Sequence, residues 1–383
     1  MKQVHAFVGY ALIMSSLLAC DTDVPAPVAP ADNRADYSLH PKHSFYQGEL
    51  EKYRQQHEAP GAIMLVKTPT HGLWIGATGK SNLEHQTPMR GDERIRVGSI
   101  TKTLVATLVL KLTEQGKLKL DDKLSQWLPQ TAGTIPQAGQ ITIRHLLTHT
   151  SGVLNTGSDN IPFQLALINR PQDADMTQPE KILQRFIYEK PLYGEPGNVY
   201  RYSNTGYLLL GMIIEKASGK SLKDSMQEGI LAPAGMTDSY LEKRNDPRVA
   251  RSYFDLYGDG RLLDVSDWER AYDDGGAPGG LITTVSDVLK FSDALFGGKL
   301  LSAASLEEMK SSVRLPSCPN GDCEYGFGME TWNLPLATGY GHNGGVIGID
   351  ANWLYFPARQ ATVVLFMNKG IPANKGIIER VLQ

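Results

Sequence analysis

The chain reads as an α/β (α+β) fold, with one sheet assembled from both ends of the sequence and a helical insertion packed beside it. Three observations carry this. Strand-like runs come early, at Gly61–Val66 and Leu73–Ile75, where apolar and β-branched residues cluster. From Gly116 to about residue 270 the pattern is mainly helical, with loops rich in Pro and Gly between the helices. Strand character then returns in Tyr325–Trp332, Gly339–His342, Ile347–Phe356 and Ala361–Met367. With 383 residues the chain is long enough for one large domain, or for two lobes with a sizeable core.

The elements follow in order. A helix is expected over Phe45–Tyr53, ahead of the first hairpin. Gly76-Ala77-Thr78-Gly79-Lys80-Ser81 imitates a phosphate loop but fails on spacing. A Walker A motif needs glycine five residues before Gly79, and Trp74 stands there. The segment is read as a strand end with a turn. After Val97-Gly98-Ser99-Ile100-Thr101-Lys102, the residues Leu104, Val105, Leu108, Val109 and Leu112 form the apolar stripe of a helix facing a core. Gly116 closes that helix. Further helices are expected at Ile143–His149, Glu180–Glu189, Thr205–Ala217, Leu222–Leu231, Asp287–Phe296, Leu306–Ser311 and about Lys375–Leu382.

Composition narrows the function. The hydrophobic fraction is 41%, the charged fraction 21% and the net charge −3, as in an ordinary soluble domain with no electrostatic pull on nucleic acid. The N-terminus differs. Lys2 and His5 precede an apolar stretch, Ala6–Ala19, shaped like a secretory signal. It ends Leu17-Leu18-Ala19-Cys20, which resembles the bacterial lipobox, so residues 1–19 are expected to be removed and Cys20 lipidated. Asp21 resembles the inner-membrane retention signal of enteric bacteria. Residues 20–40 read as a flexible tether between membrane and domain, leaving 41–383 as a periplasm-facing domain. In that oxidising compartment Cys318 and Cys323, flanking Pro-Asn-Gly-Asp, can close a small loop; two free thiols are the other arrangement. No second Cys/His pair at zinc spacing accompanies them, so neither metal nor cofactor is expected.

The chemistry starts at Ser99 and Lys102. On a helix, residues three apart share a face, with roughly 5–6 Å between Cβ atoms. A hydroxyl and an amine are thus held together at the positive end of a helix, which suits an activated serine. Two more stretches stand out. Tyr202-Ser203-Asn204 precedes an apolar helix, and His342-Asn343-Gly344-Gly345 turns out of a late strand.

Ser-x-x-Lys, Tyr-x-Asn and His-x-Gly in this order resemble the serine hydrolases of the penicillin-binding and class C β-lactamase family. The chain is most similar to the D-alanyl-D-alanine carboxypeptidases and their esterase relatives. Ile141–Gly152, Gly116–Asp122 and Pro278-Gly279-Gly280-Leu281 match family stretches too, and the resemblance runs from about residue 45 to the end. It implies a β-lactamase/transpeptidase-like fold: an antiparallel sheet flanked by helices, plus an all-helical lobe over about 100–275. It implies Ser99 as nucleophile, with Lys102 and Tyr202 sharing the proton and either one able to be the acylating base. It assigns Asn204, His342 and Gly344 to substrate binding. Backbone N–H groups of Ser99 and Gly345 would form the oxyanion hole, each worth roughly 3 kcal/mol.

His342 stands where class C β-lactamases usually carry lysine, and Asn343 where threonine is commoner. A neutral or half-charged imidazole attracts a substrate carboxylate less than a lysine would. The implied partners are a small peptide, ester or β-lactam substrate and a membrane reached through the lipid anchor. The first expectation is D-alanyl-D-alanine carboxypeptidase. Esterase or β-lactamase activity is second, and a non-catalytic binding protein on the same fold is the alternative from another class. His145 and His149, four apart, lack the glutamate of a zinc helix because Leu146 sits there, and are read as structural. No Gly-x-Ser-x-Gly occurs, which excludes the α/β-hydrolase elbow.

Overall fold

The computed structural model describes residues 36–157, 160–169, 174–242, 244–271, 276–311, 313–314, 323–370 and 375–383. The leader, Cys20, Asp21, most of the tether and the Cys318–Cys323 pairing lie outside the described residues.

Both ends of the chain build the main sheet. The early strands are β1 (Gly61–Thr68), β2 (Gly72–Asn82) and β3 (Thr87–Pro88). Two short antiparallel pairs follow: β4 (Ile95–Arg96) with β7 (Ile282–Thr283), and β5 (Tyr253–Phe254) with β6 (Leu263–Asp264). The late strands are β8 (Val313–Arg314), β9 (Cys323–Tyr325), β10 (Glu330–Leu334), β11 (Ala337–Val346), β12 (Ile349–Phe356) and β13 (Ala361–Met367). The nine-stranded sheet runs β3-β2-β1-β13-β12-β11-β10-β9-β8, and its pairings are antiparallel. The first strand thus pairs with the last, as the distribution of strand-like runs requires.

Alternation along the strands separates two cores. On β1, Ala62, Met64 and Val66 face α1 (His43–Gln56) and the helix Lys375–Val381, together with Leu354 and Phe356 of β12. Ile63 and Leu65 face the opposite way, into the larger core beneath α2 (Ile100–Glu114). α2 does more than present one stripe. Twelve of its fifteen residues are buried, because it runs between the sheet and the helix Asn204–Ser218.

Local differences from the sequence expectations have local causes. β2 does not end at Ile75 but continues to Asn82, with a register shift between Lys80 and Asn82. Its glycines serve packing: a Cβ at Gly76 would strike the Trp74 ring, and one at Gly79 would strike the Pro60 carbonyl. The expected strand Tyr325–Trp332 is two strands, because Gly328, at φ +62°, turns the chain against Lys102 and Ala106 of α2. The helix at Ile143 stops at Leu147, and His149 has left the helix in a left-handed conformation. Tyr37, inside the expected tether, already packs on the α1 core.

Candidate active site

Ser99 sits at the N-cap of α2, and its hydroxyl makes no capping bond. The hydroxyl is used elsewhere. Lys102 Nζ donates to Ser99 Oγ at 2.9 Å, and Tyr202 Oη donates to the same oxygen at 2.7 Å. Lys102 is fully buried and also donates to the Pro278 carbonyl at 2.6 Å. Its ammonium lies 5.0 Å from the Tyr202 ring centre and 5.5 Å from that of Tyr207. The β4–β7 pair sets this up: Val97 N–H donates to Leu281 O, and Leu281 N–H to Thr101 Oγ1, which fixes Pro278–Leu281 beside Ser99.

Tyr202 and Asn204 enter at the start of the helix Asn204–Ser218. Ser203, not Asn204, caps that helix by accepting from Gly206 N–H. The Asn204 side chain is thereby released from the capping role. Its own N–H is held by Asn155 Oδ1 at 2.9 Å. Burial pushes the Tyr202 phenol well above its ordinary value of 10, against a smaller downward pull from its bond to Ser99. Tyr202 is therefore a proton donor in the resting site.

β11 closes the other side. Asn343 N–H points off the strand edge to Glu330 Oε2 at 3.2 Å. Strand alternation sends Gly345 N–H off the same edge, away from β12. The pairing of β10 with β11 ends at Gly341, so beyond it the edge faces the segment Val97–Ser99. A Cβ built on Gly98 would lie 3.2 Å from Gly345 N, and one on Gly344 would lie 3.2 Å from Ser99 N. The expected oxyanion pair, Ser99 and Gly345, is thus brought together at the start of α2, where the helix favours negative charge. Gly344 is glycine for a steric reason, since its Cβ would collide with the Val97 carbonyl. Gly344→Ala is expected to destabilise the fold by about 1–3 kcal/mol. Gly345→Ala, whose Cβ meets nothing within 4 Å, should leave stability unchanged. Urea melts of the two variants check this.

His342 is placed differently from a charged substrate ligand. Its side chain is buried, and burial pushes its pKa down to about 3, helped by nearby Lys102. Nδ1 faces the Asn343 carbonyl, so it carries the proton, and Nε2 accepts from Tyr325 Oη at 3.0 Å. His342 therefore offers the cleft a fixed position and no positive charge. Tyr207 and Tyr325, which the sequence did not single out, and His149, which it read as structural, pack together beside Tyr202. In the sequence the two tyrosines look like core, and only the fold gathers them with His149. Among the described residues no group of three His, Cys, Asp or Glu could hold a metal ion, and no helix is long and apolar enough to cross a membrane.

The model of the Beta-lactamase family matches residues 47–382. The chain belongs to that family. It is 29% identical over 345 residues to Penicillin-binding protein 4* of Bacillus subtilis, covering 86% of this chain and 72% of that one. It is 32% identical over 200 residues to Esterase EstB of Burkholderia gladioli, covering 51% and 50%. Among solved structures it superposes on a D-stereospecific amidohydrolase from Streptomyces sp. with TM-score 0.78 and 27% identity, covering 89% of this chain and 98% of that one. D-amino acid amidase from Ochrobactrum anthropi superposes with TM-score 0.74 and 26% identity, covering 89% and 96%. This Beta-lactamase family chain is a serine-hydrolase-fold protein related to penicillin-binding proteins, an esterase and amidases.

Proposed function

We propose that the chain hydrolyses small D-configured peptides, amides or esters through an acyl-enzyme on Ser99. The observation that carries this is the convergence of Lys102 Nζ and Tyr202 Oη on one serine oxygen. Acylation starts from the form in which Lys102 has given one proton to solvent: Ser99 Oγ attacks the carbonyl carbon and its proton passes to the neutral Lys102 amine, because burial keeps Tyr202 protonated. The tetrahedral oxyanion is received by the N–H groups of Ser99 and Gly345. As the bond to the leaving group breaks, Tyr202 gives that group a proton and regains one from Lys102. Water then cleaves the Ser99 ester by the same path in reverse.

A D-alanyl-D-alanine carboxypeptidase is the substrate reading favoured by the motif order and by the penicillin-binding relatives. An amidase or esterase reading is supported by a separate observation: neutral, buried His342 supplies no cation for a substrate carboxylate. The test is intact-protein mass spectrometry with a penicillin and a p-nitrophenyl ester. It is followed by steady-state rates on a D-alanyl-D-alanine peptide, a D-amino-acid amide and a chromogenic cephalosporin. A covalent adduct that disappears in Ser99→Ala is expected. No adduct with any reagent, and no turnover, would leave a binding protein on this fold. D-alanine release selects the carboxypeptidase, and faster turnover of the amide or ester selects the second reading.

A further inference from the structure

His149 follows the helix Ile143–Leu147 and lies beneath the catalytic tyrosine. Three of its contacts fall on the short segment 201–203. Its main-chain carbonyl accepts from Arg201 N–H at 2.8 Å. Its Nδ1 accepts from Ser203 N–H at 3.1 Å. Its ring lies 4.1 Å from the Tyr202 ring, tilted by 38°. One residue thus grips the peptide on both sides of Tyr202 and covers the face of the phenol. The imidazole also packs on Tyr325 at 4.6 Å and Tyr207 at 5.2 Å, so the grip is itself held.

The residue is expensive to keep there. It is 1% exposed and has φ +58°, a left-handed conformation uncommon in residues other than glycine. Nε2 has no hydrogen-bond partner among the described residues. Since Nδ1 accepts a hydrogen bond, the ring is neutral with its proton on Nε2. Burial, with nearby Lys102, holds its pKa well below the ordinary 6.5, in keeping with this. A structural filler would not need an imidazole whose Nδ1 accepts from Ser203 N–H. An acceptor at Nδ1 together with a flat ring is what the two contacts to segment 201–203 require.

We propose that His149 is a positioning residue for Tyr202, holding its hydroxyl within hydrogen-bond reach of Ser99. The proposal rests on the acyl-enzyme reading above. His149→Asn keeps an acceptor near the Nδ1 position and tolerates the left-handed backbone, but loses the ring. His149→Phe keeps a ring and leaves Ser203 N–H buried without its acceptor. Single-turnover acylation by a p-nitrophenyl ester and by an amide, with thermal melts alongside, measures both. His149→Phe is expected to slow amide acylation by at least about tenfold while substrate affinity stays within about twofold. His149→Asn should recover most of that loss. In a Tyr202→Phe background, His149→Phe should cost little more, because its effect passes through the tyrosine.

Equal rates in His149→Phe and wild type would overturn the proposal. So would an undiminished effect in the Tyr202→Phe background, or losses that only follow the unfolded fraction in His149→Asn and His149→Phe alike. Failure of the underlying reading looks different: wild-type protein would itself form no adduct on Ser99.

Discussion

Lys102→Met is expected to acylate Ser99 on the order of 10³-fold more slowly than wild type, the size that follows when a positioned proton acceptor is lost. Methionine fills the buried site with similar volume, so the change removes Nζ and little else. What goes with it is the 2.9 Å contact to Ser99 Oγ and the 2.6 Å contact to the Pro278 carbonyl. The orphaned carbonyl costs about 1–3 kcal/mol. Removal of a buried cation offsets part of that, so the variant should remain folded in the assay. Tyr202→Phe gives the contrasting signature. If Tyr202 protonates the leaving group, its loss matters for an amide and little for a p-nitrophenyl ester, whose leaving anion needs no proton. Stopped-flow acylation with both substrates decides. A Lys102→Met enzyme as fast as wild type, or a Tyr202→Phe enzyme equally slow on both substrates, removes Lys102 as the base.

The second large effect lies behind the sheet. Asp350 on β12 pairs across the ladder with Gly345 and is 3% exposed. Its carboxylate accepts from Asn352 Nδ2 at 2.8 Å, yet burial raises its pKa from 3.8 to about 7. The folded state therefore holds the proton more tightly than the unfolded chain does. The stability that Asp350 contributes is complete below about pH 4 and is lost as pH rises through about 7. Once the carboxyl is ionised, the difference amounts to about 4 kcal/mol. Asp350→Asn keeps the size and an acceptor for Asn352 but cannot ionise. It should be more stable than wild type by up to about 4 kcal/mol at pH 8.5 and nearly equal to it at pH 4. Urea unfolding at the two pH values measures this. A difference independent of pH would show that Asp350 does not take up a proton on folding.

Much of the site was legible in the chain. Ser99 and Lys102 meet because three residues of helix bring them to one face, and that spacing is local. Tyr202 and Gly344 were legible only as motifs in order. Their meeting with Ser99 depends on contacts such as the Ser99–Tyr202 bond, 103 residues apart, and the Lys102–Pro278 bond, 176 apart. His149 was read as structural because its pairing with His145 suggested a zinc helix and then failed that test. Nothing in its neighbours signals the left-handed turn that puts it under Tyr202. Glycine patterns misled as well. Gly76 and Gly79 look like a turn in one dimension, whereas in three they make room for Trp74 and Pro60 inside a continuing strand.

By itself the sequence determined the element order, the sheet joined from both termini and the motifs from which the proposed site is drawn. Periodicity and residue chemistry are written along the chain. Only the tertiary structure decided the charge states: Tyr202 holding its proton, His342 and His149 neutral, and Asp350 poised near pH 7. A proton's free energy depends on how much water and which dipoles surround the group, and those neighbours come from segments far apart in the chain.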